Sequence, residues 1–394
     1  MSISTESEDV MTADTGETAS AVSLPGWSQW HGGDHPAWTI GIEEEVMLLN
    51  TQDLTLAQSI DYVLRTVSPD LAERLTAETH GSAVELATGI NSLVSDAITD
   101  LKDVRTRLKR ELEPLALKVA CSGTHPQAVW YQTVISSGER YQSLYGSMRE
   151  LARREPTFAL HVHVGVADPE DGIRLYNRMR AHVPLLLALS ANSPYWQGRD
   201  TGLASARTPL FQAFPRVGIP LKFGDYSEYV ETVDLLIRSG CFPEPTYLWW
   251  DVRPQPRFGT IEIRTMDAQI ESESTAALVA LVQSVAKLEV EEGYVSERQI
   301  VVQEALNENR FLGARDGYDA ELIDADTSTR VPISEQLPKL INAARPHAQD
   351  LGCEAELDLL VDPNFRTGAQ SQREQVRAGA SLTELVGAMA QRFA

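Results

Sequence analysis

The chain has 394 residues, 43% of them hydrophobic, with 34 basic and 56 acidic side chains and a net charge of −22. That length and apolar content suffice for a large core, and the acidity excludes nucleic acid and anionic membrane surfaces as main partners. Three scattered cysteines, Cys121, Cys241 and Cys353, exclude a disulfide framework and a zinc knuckle, which fits a reducing cytoplasm.

Residues 1–37 read as an acidic, largely disordered tail. The first 23 carry neither aromatic nor basic residues, and LPGWSQWHGG (24–33) adds two tryptophans that could tether the tail to the body. There is no basic and then apolar leader. The longest apolar run, VPLLLALSA (183–191), is too short to span a bilayer, so a soluble protein is expected. From residue 38 to 394 the pattern is that of one globular domain without repeats. Alternation and helical spacing predict a strand over 38–49, a helix over 54–68, a strand over 83–88 and a helix over 92–113 that stops before Pro114. A strand over 117–123 and another over 157–166 follow, then a long helix over 168–190 with Pro184 as a point of bending. A Gly/Pro-rich connection spans 192–225. A helix over 226–238, strands over 247–253 and 260–267, a helix over 273–293 and a mostly helical C-terminal part complete the chain. Strands that neighbour one another in places, with helices between, predict an α+β fold with a mainly antiparallel sheet.

The strand GIEEEVMLL (41–49) carries three acids in an apolar frame. Residues i and i+2 share a strand face, so Glu43 and Glu45 point one way and Glu44 the other. Two ionised carboxylates about 4 Å apart repel by roughly 4 kcal/mol at an effective dielectric near 20. Their face is therefore open to water or holds cations. Two further strands repeat the signature. In LHVHVGV, His161 and His163 share a face, and in TIEIRT, Glu262 and Arg264 do; Glu85 in AVELAT and Glu78 before it add acids. Each strand alone has a plainer reading: a solvated acidic face, a backbone-bonded histidine pair, a cross-strand ion-pair network. Paired in one antiparallel sheet, they gather Glu43, Glu45, Glu85, His161 and Glu262 with Arg264 beside them. That set suits hard divalent cations such as Mg²⁺, and its histidine also admits Mn²⁺. Carboxylates, cations and an arginine are what phosphoryl transfer from ATP uses. The chain lacks a GxxxxGK[ST] phosphate loop, a GxSxG nucleophile turn and an HExxH pair.

In order along 38–330, GIEEEVMLLN, VELAT, GTHPQAVW, LHVHVGV, LLALSANSPYWQGRDTGLASAR, WWDVRPQP and TIEIRTMDA resemble the carboxylate–amine ligases of the type 2 glutamate–cysteine ligase family, relatives of glutamine synthetase. The resemblance implies a curved antiparallel sheet forming an active-site funnel, with helices on its outer face and ATP and substrate at opposite ends. It implies metal ligands at Glu43, Glu45, Glu78, Glu85, His161 and Glu262. It places His163 toward the substrate and Arg264 on the phosphate, with Arg207 and, second to it, Arg199 near a substrate carboxylate. The implied reaction is ATP-dependent amide formation through an acyl phosphate, with glutamate as carboxylate and cysteine or another amine as acceptor; a homodimer is compatible with the family. Rival readings are a non-catalytic metal- or nucleotide-binding relative in regulation and a metal hydrolase. Two features depart from the family pattern: GTHPQ where GTHPF is usual, and a long acidic N-terminus.

Overall fold

The computed structural model describes residues 24–154 and 156–394; the acidic stretch 1–23 lies outside the described residues. Seven strands form one sheet: β1 (Ile40–Asn50), β2 (Leu75–Ala77), β3 (Ala83–Ala87), β4 (Leu117–Ala120), β5 (Ala159–Gly165), β6 (Val252–Gln255) and β7 (Thr260–Asp267). Their order is β6-β7-β5-β1-β3-β2, with β4 on the C-terminal half of β1, and every pairing is antiparallel. This is the expected α+β class. The central strand is the one that carries the three glutamates. The predicted helix over 54–68 is only Ile60–Thr66, since the segment before it runs extended and bridges Leu56 to Leu49. The predicted strand over 247–253 breaks into Trp249–Trp250, which pairs in parallel with Val217–Gly218, and β6.

Helices connect and cover the strands. They include α1 (Val94–Leu112), α2 (Pro169–Ser190), α3 (Tyr226–Arg238), α4 (Ser272–Glu291), α5 (Gln303–Asp316), α6 (Ile333–Leu351) and the C-terminal α7 (Leu382–Arg392). The Asp168 side chain caps α2 by accepting from the Glu170 and Asp171 amides, and the helix runs on through Pro184. Its apolar side packs with α4 against Ile42, Val162, Val164, Ile261 and Ile263, the inward residues of three adjacent strands. Alternation therefore sends the intervening residues, Glu43, His161, His163 and Glu262, to the opposite face. Among the described residues no helix is long and apolar enough to cross a membrane.

Residues 24–37, which the sequence reading placed in the tail, are packed. Trp27 and Trp30 lie edge-on against Tyr229 and Tyr226 of α3. The two tryptophans hold this segment to the body, which corrects its place in the tail.

Glu44 is the exception on the core face of β1. It is fully buried, and Arg105 of α1, itself 1% exposed, grips it with two bonds: Nε to Oε2 at 2.8 Å and Nη2 to Oε1 at 2.5 Å. The same guanidinium donates to the carbonyls of Gln269, Ile270 and Phe393. One arginine thus ties the central strand to α1, to the lead into α4 and to the end of the chain. Burial is tolerable because every donor is matched. Removing one partner leaves a bare buried charge, so Arg105→Met should destabilise the protein by about 3–5 kcal/mol. Glu44→Gln/Arg105→Met should recover part of that loss. Urea unfolding of the three proteins checks both; a single variant within about 0.5 kcal/mol of wild type contradicts the role.

Candidate active site

Cross-strand register builds the site. Glu43 lies opposite His161 on β5, Glu45 opposite Glu85 on β3, and His163 opposite Glu262 on β7. Directly opposed residues have Cβ atoms about 5 Å apart, so these polar pairs converge. His161 Nδ1 is 3.3 Å from Glu43 Oε2 and 3.9 Å from both Glu85 Oε2 and Glu262 Oε1, and its Nε2 is 3.8 Å from Glu45 Oε1. His163 Nε2 is 3.3 Å from Glu43 Oε1 and 3.9 Å from Glu262 Oε1, while its Nδ1 meets Thr260 Oγ1 at 2.9 Å. Three overlapping groups could each hold a cation: Glu43, His163 and Glu262; Glu43, Glu85 and His161; Glu45, Glu78 and Glu85. All six expected ligands belong to these groups, and so does His163.

The electrostatics divide the cluster in two. Glu262 is fully buried, yet Arg253, Arg264 and His163 outweigh burial and hold its carboxyl well below the usual range. Arg253 binds it through Nε at 2.9 Å and Nη2 at 2.8 Å, Gln255 Nε2 at 2.7 Å, and Arg264 Nη1 also contacts it. Burial likewise opposes the charge on Glu43, but His163, 3.3 Å away, and the hydrogen bond from His161 bring its carboxyl down. At the other end the acids crowd one another, and Arg264 and Arg140 answer them only weakly. Burial and then Glu45 push Glu78 up to about 8, and burial with Glu43, Glu78 and Glu45 raises Glu85 well above the carboxylate range. Burial and Arg264 lower His161, keeping the imidazole neutral and fit to ligate.

These donors fit divalent cations. Carboxylates dominate, one neutral imidazole joins them, and His163 Nε2 is a buried nitrogen without a hydrogen-bond partner among the described residues. Glu78 and Glu85, protonated for want of countercharge, would ionise around a cation.

Two cavities meet over the cluster. The larger, about 540 Å³, is the more polar of the two, reaching Glu43, Glu78, Glu85 and Arg264 and walled by Arg140, Tyr141, Glu244 and Trp249. The second, about 310 Å³, runs along the β1 backbone at Ile40–Ile42 and that of Gly89 and Gly165, beside the exposed Ile90, and reaches Glu43 and His163. His31, Glu43, Arg257 and Phe258 border both.

Arg207 and Arg199 border neither. The Arg207 guanidinium is buried and donates to the main-chain carbonyls of Arg264 and Thr265, fixing the strand that carries Glu262 instead of facing a ligand. Arg199 is exposed on a two-residue strand paired with Tyr195–Trp196. The sequence reading did not single out Arg253 and Gln255. Yet they form a further i, i+2 polar pair on a strand, the signal used for the others. Arg140 comes from helix Glu139–Met148, which no periodicity had predicted; it pairs with Glu244 and lies 4.7 Å over the Tyr247 ring.

The chain matches the model of glutamate-cysteine ligase family 2 over residues 39–390. It is 36% identical over 350 residues to a Rubrobacter xylanophilus protein named "Putative glutamate--cysteine ligase 2-1", covering 89% of this chain and 93% of that one. A Thermobifida fusca protein named "Putative glutamate--cysteine ligase 2" is 34% identical over 366 residues, covering 90% of each. Among solved structures, the glutamate–cysteine ligase of Francisella tularensis in complex with AMP has a TM-score of 0.63 at 13% identity, covering 90% of this chain and 88% of that one. The bifunctional glutathione synthetase of Pasteurella multocida has the same TM-score at 15% identity, covering 90% of this chain and 51% of that one. At these identities the structures speak for the fold. By its family match and its relatives, the chain belongs to glutamate-cysteine ligase family 2.

Proposed function

We propose that this protein is an ATP-dependent carboxylate–amine ligase of the glutamate–cysteine type. The observation that carries the reading is the convergence of Glu43, Glu45, Glu78, Glu85, His161 and Glu262 from four strands at the junction of two cavities, with Arg264 against Glu262. The names of the full-length relatives support the reaction class and the glutamate–cysteine pair. The complete donor set speaks against a silent relative. The apolar second cavity suits a flat purine, and the polar larger one suits amino-acid substrates.

In this reading the carboxylates and His161 would hold Mg²⁺ or Mn²⁺, which would supply the positive charge that neutralises the phosphates. The chain's residues do the rest. Arg264, kept cationic and aimed by Glu262, meets the γ-phosphoryl group as it passes from ATP to the substrate carboxylate, giving ADP and an acyl phosphate. The amine nitrogen then attacks the acyl carbon, inorganic phosphate leaves, and the amine loses a proton. His163 lies where the nucleotide and amino-acid halves meet, within reach of that chemistry. The walls exclude water, which would otherwise hydrolyse the acyl phosphate.

Incubation with ATP, Mg²⁺ or Mn²⁺ and pairs of amino acids should release ADP and phosphate only when both a carboxylate and an amine substrate are present. Glutamate with cysteine is the pair expected to be fastest; ADP release that ignores every amino acid contradicts the reading. Glu43→Ala, Glu45→Ala and Glu262→Ala should each lower the rate by about a hundredfold or more. Full activity in any of them removes that ligand. The raised Glu78 carboxyl gives a pH test. Its folded value of about 8 lies above its ordinary 4.5, so its contribution to stability is present below 4.5 and lost as pH rises through 8. Metal-free Glu78→Gln should therefore unfold at a higher temperature than wild type at pH 8.5, and Mn²⁺ should stabilise wild type more than the variant. Equal melting curves would contradict the burial of an uncompensated acid there.

A further inference from the structure

The family match begins at residue 39, yet the wall of the site begins earlier. Gly26, Trp27, Gln29 and His31 line the larger cavity, and His31, Gly32, Asp34 and His35 line the second. This segment is a strap stretched from α3 to the sheet. At one end Trp27 Nε1 donates to Asp234 at 3.3 Å, and Tyr226 Oη donates to the Ser28 carbonyl at 2.5 Å. At the other, Trp30 Nε1 donates to the Val166 carbonyl at 2.9 Å, and the His31 amide to the Pro256 carbonyl at 3.0 Å.

That last contact grips the tight turn Pro256–Phe258, which joins β6 to β7. The crossing admits no side chain. A Cβ on Gly259 (φ +61°) would fall 2.1 Å from Gly32 Cα, and one on Gly32 would fall 1.8 Å from the Val166 carbonyl oxygen. The turn in turn presents Arg257 and Phe258 to both cavities, with Phe258 edge-on to His163 at 6.0 Å. Of the arginines lining the larger cavity, Arg253 and Arg264 are paired with Glu262 and Arg140 with Glu244. Arg257 has no acid partner among the described residues; its guanidinium lies 5.7 Å over the Phe258 ring. Arg257 is exposed on the rim where the two cavities join, free to meet an anion that is brought in.

We propose that residues 24–35 are a working part of the active site, a positioning strap that holds Arg257 on the β- and γ-phosphates of the bound nucleotide. The inference rests on the ligase reading for the nucleotide itself. It adds that the phosphate grip depends on a segment outside the family-matched region, acting through a glycine-on-glycine crossing.

The test is binding of AMP and of a non-hydrolysable ATP analogue, AMP-PNP, to the full chain with Mg²⁺, followed by calorimetry. Arg257→Ala should weaken AMP-PNP by about ten- to a hundredfold and leave AMP unchanged, while Arg257→Lys should recover part of the loss. Gly32→Ala should show the same selective loss, and combined with Arg257→Ala should add nothing further. Trp30→Phe, which removes the bond to Val166 and part of the packing on Tyr226 and Gly172, replaces Gly32→Ala if that variant does not fold. Unchanged AMP-PNP binding, an equal loss for AMP, or additive losses in the double variant would each overturn the proposal. Wild-type protein that binds no AMP-PNP would remove the ATP reading and this inference with it; wild-type binding with unaffected variants removes the inference alone.

Discussion

Like charge crowded onto one face of a sheet is the constraint around which this structure is arranged. Carboxylates from β1, β3, β7 and the segment before β3 lie within a few ångströms of each other. In a partly buried setting each such contact costs several kcal/mol. Cations of the chain answer the charge most fully at one end, where Arg253 and Arg264 flank Glu262 and the histidines flank Glu43. At the other end Glu45, Glu78 and Glu85 face one another, and two of them respond by holding their protons. A site left so short of positive charge is built for ions that arrive with, or before, the substrate.

The rest of the fold makes that crowding bearable. Alternation along β1 places Glu43 and Glu45 over the cavities and Glu44 in the core, where Arg105 matches it. The two faces have opposite solutions to the same chemistry. In the core, the fork of one arginine satisfies one glutamate and three carbonyls, so the charge is fixed and structural. Over the cavities, the charge is left for ligands. The strap at 24–35 and the turn at 256–258 close the junction and carry a free arginine to it.

Much of this was legible in the residues. Period-two alternation in EEE, HVH and EIR fixed which side chains share a face, and antiparallel pairing then had to bring them together. The α+β class and the long helices followed from spacing. Other parts were hidden for physical reasons. The partner of Glu44 lies on a helix 61 residues away and reads there as one more surface arginine. Arg207 sits in a segment that resembles a substrate-binding one, but its Nη1 and Nη2 donate to main-chain carbonyls, which no pattern reveals. Residues 24–37 are polar and glycine-rich enough to pass for tail. Contacts remote in sequence, with the aromatic surface of α3 and with the backbone at Val166 and Pro256, make them part of the body.

The most direct measurement is anomalous diffraction from crystals grown with Mn²⁺ and a non-hydrolysable ATP analogue. Manganese peaks at bonding distance from Glu43, His161 and Glu262 and from Glu45, Glu78 and Glu85, with the analogue's phosphates bridging them, are the expected result. A nucleotide bound elsewhere, or a map without manganese at these carboxylates, would contradict the account.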